Sequence, residues 1–286
     1  MFITEITEEN LEEYEAYLPG DVAENIGRPY YRGVAVTQDE APQAAIVWEW
    51  RHKEDEEKPT EGRLEWLRAE DSDAGSEVLA EYARMAADEG AERTFYSLPQ
   101  KECEALGGLL KKAGFSEEKQ EGQDIVLTVG QFMELDVMKH PKVPDYVKSL
   151  EELRSRSFRR GLMDCVYHVH RDLPEDLTAL SLDWYDLQVS CYEELDDNVN
   201  GFLLVHRTAS GKLRLDLLAD WGPDARLSLV YLMRHAILKA SEVYPADTQV
   251  VLHRHDDSSY KLAAYLFPNT KGEACLGGER KEEGSE

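Results

Sequence analysis

The clearest pattern of apolar and polar positions lies between residues 62 and 115. Residues 63–69 alternate over a short span and predict a strand, and residues 94–98 predict another. Between them, residues 76–89 carry apolar side chains on one helical face: Val78, Leu79, Tyr82, Met85 and Ala86. Pro99 opens a second predicted helix, which Gly114 ends. A strand–helix–strand crossover of this kind predicts two parallel, neighbouring strands.

The rest of the first half predicts the elements around this crossover. Residues 2–6 predict a first strand, and residues 31–37 and 44–51 predict an antiparallel hairpin. Residues 123–129 predict a closing strand. The polar, proline-containing stretch 139–144 then predicts a domain boundary, which divides the chain into domains 1–137 and 138–286.

The second half repeats this order of elements. Arg214-Leu-Asp-Leu-Leu begins a unit as Arg63-Leu-Glu-Trp-Leu does, and Phe267 ends it as Phe115 does, at an offset of roughly 150 residues. Its predicted elements are helices at 147–160, 174–187, 223–238 and 258–266, and strands at 162–170, 201–207, 212–219 and 249–253. No further hairpin strand is recognisable before residue 201, and the acidic residues from Lys271 predict a frayed end. The fold class is therefore α/β, with mixed sheets in two tandem domains.

The order of elements and the sequence Lys111-Lys-Ala-Gly-Phe115 resemble the GNAT superfamily, the GCN5-related N-acetyltransferases, which transfer an acyl group from coenzyme A to an amine. In that family, a Q/R-x-x-G-x-G/A loop and the following helix hold the cofactor pyrophosphate. Here the loop is Glu70-Asp-Ser-Asp-Ala-Gly75, which keeps the last glycine. The resemblance implies acetyl-CoA as donor and a cofactor site formed by Leu67, Ala69, Asp73, Ala74, Gly75 and Ser76.

Two interpretations of this loop stand. A helix N-terminus offers free N–H groups to an anion. The three carboxylates of the loop oppose phosphate binding and equally suit an ordinary acidic helix start.

The resemblance also implies catalytic residues. In many GNAT enzymes a carboxylate on the central strand is a base or binds the amine, and Glu65 has that position here, with Asp216 at the equivalent point of the repeat. The alternative is a solvent-facing residue on an alternating strand. The family tyrosine that often acts as general acid falls on Leu110, and Tyr96 is the substitute beside the cleft. The alternative for Tyr96 is a core residue.

The first half is predicted to hold the cofactor. Gly75 lies between the small residues Ala74 and Ser76, which allows a phosphate close to the backbone. In the second half Pro223 removes an N–H donor at the helix start, and Trp221 is expected to fill the cleft. The second half is then a scaffold or a wall of the acceptor site.

Composition limits the partners. A net charge of −26 over 286 residues argues against nucleic acids and anionic membranes. It favours a cationic amine substrate, although general surface charge explains it equally. The four cysteines have no disulfide or zinc spacing, and the pairs His168/His170 and His253/His255 lack a third ligand, so no metal is predicted. With no signal peptide or membrane span recognised, a cytoplasmic protein is expected.

The sequence therefore predicts an acetyl-CoA-dependent N-acetyltransferase acting on a small-molecule or peptide amine. The alternative is a non-catalytic module of the same shape that binds a small ligand or a protein partner. Whether the protein is an enzyme stays open at this point.

Overall fold

A computed structural model describes residues 1–52, 59, 61–116, 119–169, 173, 177–254, 257–268 and 270–281. The chain forms two compact units. The first contains residues 1–124, 208–211 and 273–286, and the second contains residues 125–207 and 212–272. No helix of the described part is both long and apolar enough to cross a membrane.

The described strands are β1 (Phe2–Glu5), β2 (Tyr31–Gln38), β3 (Ala41–Arg51), β4 (Glu61–Ala69), β5 (Arg93–Pro99), β6 (Lys119–Thr128), β7 (Val147–Ser149), β8 (Cys191–Leu195), β9 (Asn198–Arg207), β10 (Leu213–Asp220), β11 (Gln249–Arg254) and β12 (Glu273–Lys281). The described helices are α1 (Gly20–Ala23), α2 (Ser72–Glu89), α3 (Gln100–Lys112), α4 (Val129–Met133), α5 (Ser155–His168), α6 (Ala225–Val243) and α7 (Asp257–Leu266).

In the first unit the strands follow the order β1-β2-β3-β4-β5-β12-β6. The β4–β5 pair is parallel, as the crossover predicted, and the other pairs with a described register are antiparallel. The predicted apolar face of α2 packs on this sheet: Val78, Leu79 and Tyr82 are fully buried beside Trp48 and Trp50 of β3. Helix α2 begins at Ser72, four residues before its predicted start, because the Asp71 side chain caps it.

Residues 273–281 form an ordered strand, contrary to the sequence-based expectation of a frayed end, while residues 282–286 lie outside the described residues. Strand β12 lies between β5 and β6 and pairs antiparallel with both. Its inward residues are small or apolar: Cys275, Gly277 and Gly278 are buried, and the Cys103 thiol donates to the Leu276 carbonyl at 3.5 Å. The many charges of the segment hid this two-residue alternation. The compact units consequently do not divide the chain between residues 137 and 138, where the sequence predicted the domain boundary.

The second unit has the strand order β6-β11-β10-β9-β8-β7 and includes the end of β6 from Ile125. Its core lies between this sheet and α6, whose buried residues include Leu232, Met233 and Ile237. The predicted hairpin of residues 201–207 and 212–219 is confirmed as the antiparallel β9–β10 pair.

Three predictions for the second half were wrong. Residues 147–160 and 162–170 contain the single helix α5 after the short strand β7, because Phe158, Leu162 and Cys165 share one helical face. The predicted helix 174–187 appears, in its described part, as two 3-10 turns at Leu177–Ala179 and Leu182–Trp184, while residues 174–176 lie outside the described residues.

The missing hairpin strand before residue 201 exists as β8. It turns into β9 through Asp196 and Asp197, which have φ angles of 51° and 62°. Two successive left-handed residues form the tight turn that matches the twist of a hairpin.

The close packing of β12 gives a stability test. A Cβ on Gly278 would lie 2.8 Å from the buried Tyr96 ring, so Gly278→Ala should destabilise the protein by about 1–3 kcal/mol. Gly108 on α3 has open space around it, so Gly108→Ala should stabilise by about 0.5–1 kcal/mol. Thermal and denaturant unfolding of the two variants would measure both effects, and equal changes would contradict the packing of β12.

Candidate functional site

Both central strands bulge and separate from their neighbours at the same point of the repeat. On β4 the register with β3 skips Glu65, and on β10 the register with β9 skips Asp216. The parallel register between β4 and β5 ends at Leu64, and that between β10 and β11 ends at Arg214. A bulge bends the strand and frees backbone groups from the ladder, so each unit has an opening beside its bulge.

In the first unit two carboxylates, Glu65 and Glu49, lie near the bulge. Glu65 lies 2.9 Å from the Arg63 guanidinium, and its other oxygen accepts from the Ser210 hydroxyl at 3.4 Å. Glu49 of β3 is fully buried and accepts from the Ala209 N–H at 2.6 Å. The residues 208–211, which connect β9 and β10, belong to this unit and cover both carboxylates.

Tyr96 does not share a site with Glu65. It lies opposite Leu64 in the β4–β5 pair, its side chain is 1% exposed, and its ring packs edge-on against Phe115 at 5.4 Å. The Glu65 carboxylate instead lies beside Ser210, in the loop whose Ala209 belongs to a different apolar cluster. The structure therefore puts Tyr96 in the core, on the α2 side of the sheet.

The predicted cofactor positions of the first unit lie together around the start of α2, and one of them, Ser76, lines a cleft of about 610 Å³ between α2 and α3. Leu67 and Ala74 belong to the buried core, and Ala69 packs against it. Asp73 and Ser76 are exposed, and the Ser76 hydroxyl donates to the Ser72 carbonyl.

Three of the N–H donors at this helix start already have acceptors. The Asp71 carboxylate accepts from the N–H groups of Asp73 and Ala74, both at 2.8 Å, and the Gly75 N–H donates to the Asp71 carbonyl. A Cβ on Gly75 would lie 2.8 Å from Leu109 of α3, so the Gly75 side of the helix start is filled by α3. The acidic-helix-start interpretation describes this end of α2 best.

The start of α6 in the second unit differs in its side-chain capping, although there too N–H groups, those of Leu227 and Ser228, donate to the N-cap carbonyl of Asp224. Its N-cap residue Asp224 makes no side-chain capping bond, and the first turn contains no acidic residue. Pro223 precedes the N-cap, so it removes no donor from the helix. Trp221 packs against Phe202, at 6.0 Å between ring centres, and does not line the cleft beside α6. Neither Pro223 nor Trp221 therefore argues against a cofactor site in the second half, contrary to the sequence-based expectation.

A cleft of about 1170 Å³ lies next to this helix start. It runs between α6, α7 and residues 134–137, and Leu218 of β10 and Met233 of α6 contribute apolar walls. Arg226 and Lys261 are exposed on its sides, and Arg234 is held by the Val137 carbonyl at 2.7 Å. Glu134 and Asp136 also line the cleft. An anion with an apolar arm fits such a surface better than a cation does.

A group of polar and aromatic side chains around one histidine, His206, lies at the bulge of the second unit. His206 faces Arg214 across the β9–β10 pair, and Arg214 binds Asp216 at 2.7 Å. The Trp184 ring stacks on His206 at 4.1 Å, and its indole N–H donates to Asp216 at 3.4 Å. His206 Nδ1 lies 2.6 Å from the Trp184 carbonyl. Because a carbonyl only accepts, Nδ1 carries a proton, and Nε2 is the basic nitrogen of the neutral ring.

Two carboxyl groups meet where β10 ends. Glu193 of β8 and Asp220 of β10 are both register partners of Gly201, whose missing side chain leaves room for them to meet. Ser228 donates to Glu193 Oε1, and the Gly222 N–H donates to Asp220 Oδ1 at 2.9 Å. Among the described residues, no other group donates to the remaining buried oxygens, Glu193 Oε2 and Asp220 Oδ2.

These two oxygens require a shared proton. Burial, followed by repulsion from Glu193, raises the pKa of Asp220 to about 7. Tyr146, Tyr231 and Asp224 lie around the pair and supply no positive charge. The pair therefore holds one proton at the junction of the central strand and α6.

Sequence reasoning missed Glu49, Trp184, His206 and Glu193. The repeat itself contained a signal for two of them, since Glu49 pairs with Arg63 as His206 pairs with Arg214. Nothing in the spacing indicated Trp184, which a 3-10 turn brings to the site. Of the histidine pairs, His168 ends α5 and His253 lies on β11, while His170 and His255 lie outside the described residues.

Comparison with known proteins identifies the fold. No protein-family model and no curated protein sequence matches the chain. A tandem GNAT protein from the clavulanic acid biosynthesis pathway, determined without AcCoA, superposes with a TM-score of 0.62 at 10% identity, over 100% of this chain and 99% of that one.

Two further solved structures superpose over nearly the whole chain. A Drosophila protein does so with a TM-score of 0.57 at 10% identity, covering 99% of each chain. A candidate acetyltransferase from Pyrococcus horikoshii gives 0.54 at 13% identity, over 100% of this chain and 90% of that one. The chain therefore has the fold of tandem GNAT proteins, which confirms the α/β fold class and the resemblance.

The carboxyl pair predicts a dependence of stability on pH. The folded pKa of Asp220 is above its ordinary value of 3.8, so its contribution is complete below pH 4 and is lost as the pH rises through 7. Asp220→Asn supplies an N–H to Glu193 without a titrating proton. In thermal unfolding from pH 5 to 8, the melting temperature of the variant should rise relative to that of the wild type as the pH rises.

The control for this measurement is Asp197→Asn in the exposed β8–β9 turn, where asparagine also accepts a left-handed backbone. It should keep the wild-type pH profile. Parallel profiles for Asp220→Asn and the wild type would show that no proton is shared.

Proposed function

We propose that the protein binds a coenzyme A thioester in its second unit and transfers the acyl group to an amine. The observation that carries this proposal is the uncapped start of α6 beside an open cleft with Arg226 and Lys261 on its sides. Acetyl is the acyl group that the sequence predicted. The first unit would then be a scaffold, which reverses the sequence-based assignment to residues 1–137.

The cleft residues fit the parts of coenzyme A. Backbone N–H groups at the start of α6, together with Arg226, can hold the pyrophosphate. Lys261 lies across the cleft for a further phosphate, and the exposed Tyr265 ring offers a surface for the adenine. The apolar Leu218 and Met233 suit the pantetheine arm. The first unit also has a cleft beside its central helix, of about 610 Å³ and with Arg84, Lys112 and Arg280 on its walls. There, however, the Asp71 carboxylate already occupies N–H groups at the start of α2 that a pyrophosphate would need.

The thioester, when bound, supplies an acyl group that is activated toward attack by an amine. The separation of β10 from β11 after Arg214 leaves backbone groups of β10 beside the bulge for a carbonyl oxygen. These groups are fixed before a ligand arrives, so orienting a carbonyl there requires little reorganisation.

His206 is the proposed general base of the second unit. The Trp184 carbonyl fixes its tautomer, which directs the basic lone pair to Nε2. Asp216 is less suited to this role, since its carboxylate already binds the Arg214 guanidinium and accepts from the Trp184 indole N–H. Asp216 would instead position Arg214 and the Trp184 indole around the amine.

The acceptor is proposed to be a small-molecule or peptide amine. The net charge of −26 draws cations toward the surface and repels polyanions. Only a neutral amine attacks an acyl carbon, so a base near the bulge is needed after a cationic amine arrives.

A second candidate function is supported by a specific observation. At each bulge an arginine neutralises the carboxylate, and either Ser210 or Trp184 covers it. Such covered carboxylates leave little room for an amine, as expected of a protein that binds acyl-coenzyme A without transferring the acyl group. Binding with no release of coenzyme A in the presence of diverse amines would favour this candidate.

Charge reversals at the two helix starts test the position of the cofactor. Arg226→Glu should weaken binding of coenzyme A by at least about fivefold, because it replaces attraction to phosphate by repulsion. The matched control is Lys112→Glu, since the Lys112 amine lies 3.2 Å from Ser72 at the start of α2. Calorimetric titration of both variants gives the affinities. Weaker binding in Lys112→Glu alone would return the site to the first unit.

A substitution of His206 tests the chemistry. Asparagine at this position can still donate to the Trp184 carbonyl but has no basic nitrogen. His206→Asn should lower the transfer rate by about 10²–10⁴-fold and leave coenzyme A affinity unchanged. An unchanged rate in a correctly folded variant would exclude His206 as the base.

A further inference from the structure

The second unit contains an internal cavity of about 50 Å³ besides the cleft. All the side chains around it are apolar, and they come from α4, α6, the three strands β9, β10 and β11, and Val189 just before β8. They include Phe132, Leu213, Leu215, Met233, Ala236 and Leu252. A cavity without polar groups stays dry and accepts only apolar ligands.

The cavity lies beside the bulge of the central strand. Leu213 and Leu215 of β10 and Val250 and Leu252 of β11 line it. The register between these strands ends at Arg214, opposite Val251, so the cavity spans the point where they separate. This is also where the proposed function requires the reacting carbonyl.

Met233 of α6 lines both the cavity and the cleft. Its side chain therefore separates the cavity from the cleft. Methionine is unbranched and turns easily between rotamers, so a modest movement of this side chain would join the two spaces.

We propose that this cavity receives the acyl chain of the donor, so that the preferred donor is a short-chain acyl-coenzyme A of about four carbons, with an unbranched, uncharged chain. The inference rests on the proposed function and names the substrate class of the same site. A dry cavity of about 150 Å³ holds the six carbons of benzene, so about 50 Å³ admits roughly two carbons beyond an acetyl group.

The experiment is a calorimetric titration of the full chain with coenzyme A, acetyl-, butyryl- and succinyl-coenzyme A. Two added methylene groups buried in the cavity should make butyryl-coenzyme A bind about tenfold more tightly than acetyl-coenzyme A. Succinyl-coenzyme A has the same chain length with a terminal carboxylate, and it should bind no more tightly than acetyl-coenzyme A.

A variant that fills the cavity provides the decisive comparison. Ala236→Leu should remove the butyryl preference and leave acetyl-coenzyme A affinity unchanged. Thermal unfolding checks that this variant is folded, and the smaller change Ala240→Val replaces it if it is not, since Ala240 also lines the cavity. The matched control is Ala264→Leu on the exposed side of α7, which should behave as wild type.

The outcomes separate the two levels of the proposal. Equal affinities for acetyl and butyryl donors, or a butyryl preference that survives both filling variants, would overturn the acyl-chain inference and leave the proposed function intact. Tighter binding of succinyl than of butyryl would also overturn it. Failure of every coenzyme A species to bind would overturn the proposed function and this inference together.

Discussion

The first unit depends on hydrogen bonding to a strand from the far end of the chain. Strand β12 pairs with β5 on one side and β6 on the other, so its backbone closes a gap in the middle of the sheet. Without it, two strands would each expose an unpaired row of N–H and C=O groups. The core residues Tyr96, Phe115 and Cys103 all pack near this strand or bond to it. This closure requires a contact between residues more than 170 positions apart. Contacts between such distant residues form slowly during folding.

The two units use the same framework in different ways. Each has a bulged central strand, an arginine two residues before the bulge, and a carboxylate held by it. They differ in how their central helices begin. Asp71 fills the anion-binding end of α2 with a carboxylate of the chain itself, while Asp224 leaves the end of α6 without a side-chain cap. In the proposed function, this one N-cap residue does much to decide which unit accepts the phosphates of the cofactor.

Sequence reasoning found the elements whose signals are local. The face of α2, the β4–β5 crossover and the β9–β10 hairpin follow from apolar spacing over ten to twenty residues. It failed where the deciding contact is distant in sequence. The residues of β12 were predicted to be an acidic, frayed end, but they pair with β5 and β6 in the folded protein. The sequence-based prediction divided helix α5 between a helix and a strand, because its first half is rich in arginine and its second half is apolar.

The candidate site was harder to predict for the same reason. Glu65 and Asp216 were recognised as equivalent by the repeat, and both lie at bulges. The partners that define their chemistry, Ser210 and Trp184, come from loops with no periodic signal. The proton-sharing pair Glu193–Asp220 needs the absence of a side chain at Gly201, and a lone glycine in a strand predicts a close approach without naming what approaches.

The position of β12 also sets the order in which the protein can fold during translation. Residues 1–124 leave the ribosome first, yet their sheet stays incomplete until residues 273–281 have emerged. All of the second unit is synthesised in between, so it can finish folding before the first. The N-terminal part of the nascent chain then waits with two exposed strand edges, a state in which chaperones bind and aggregation begins. Vectorial synthesis, which usually favours the N-terminal domain, here favours the domain made later.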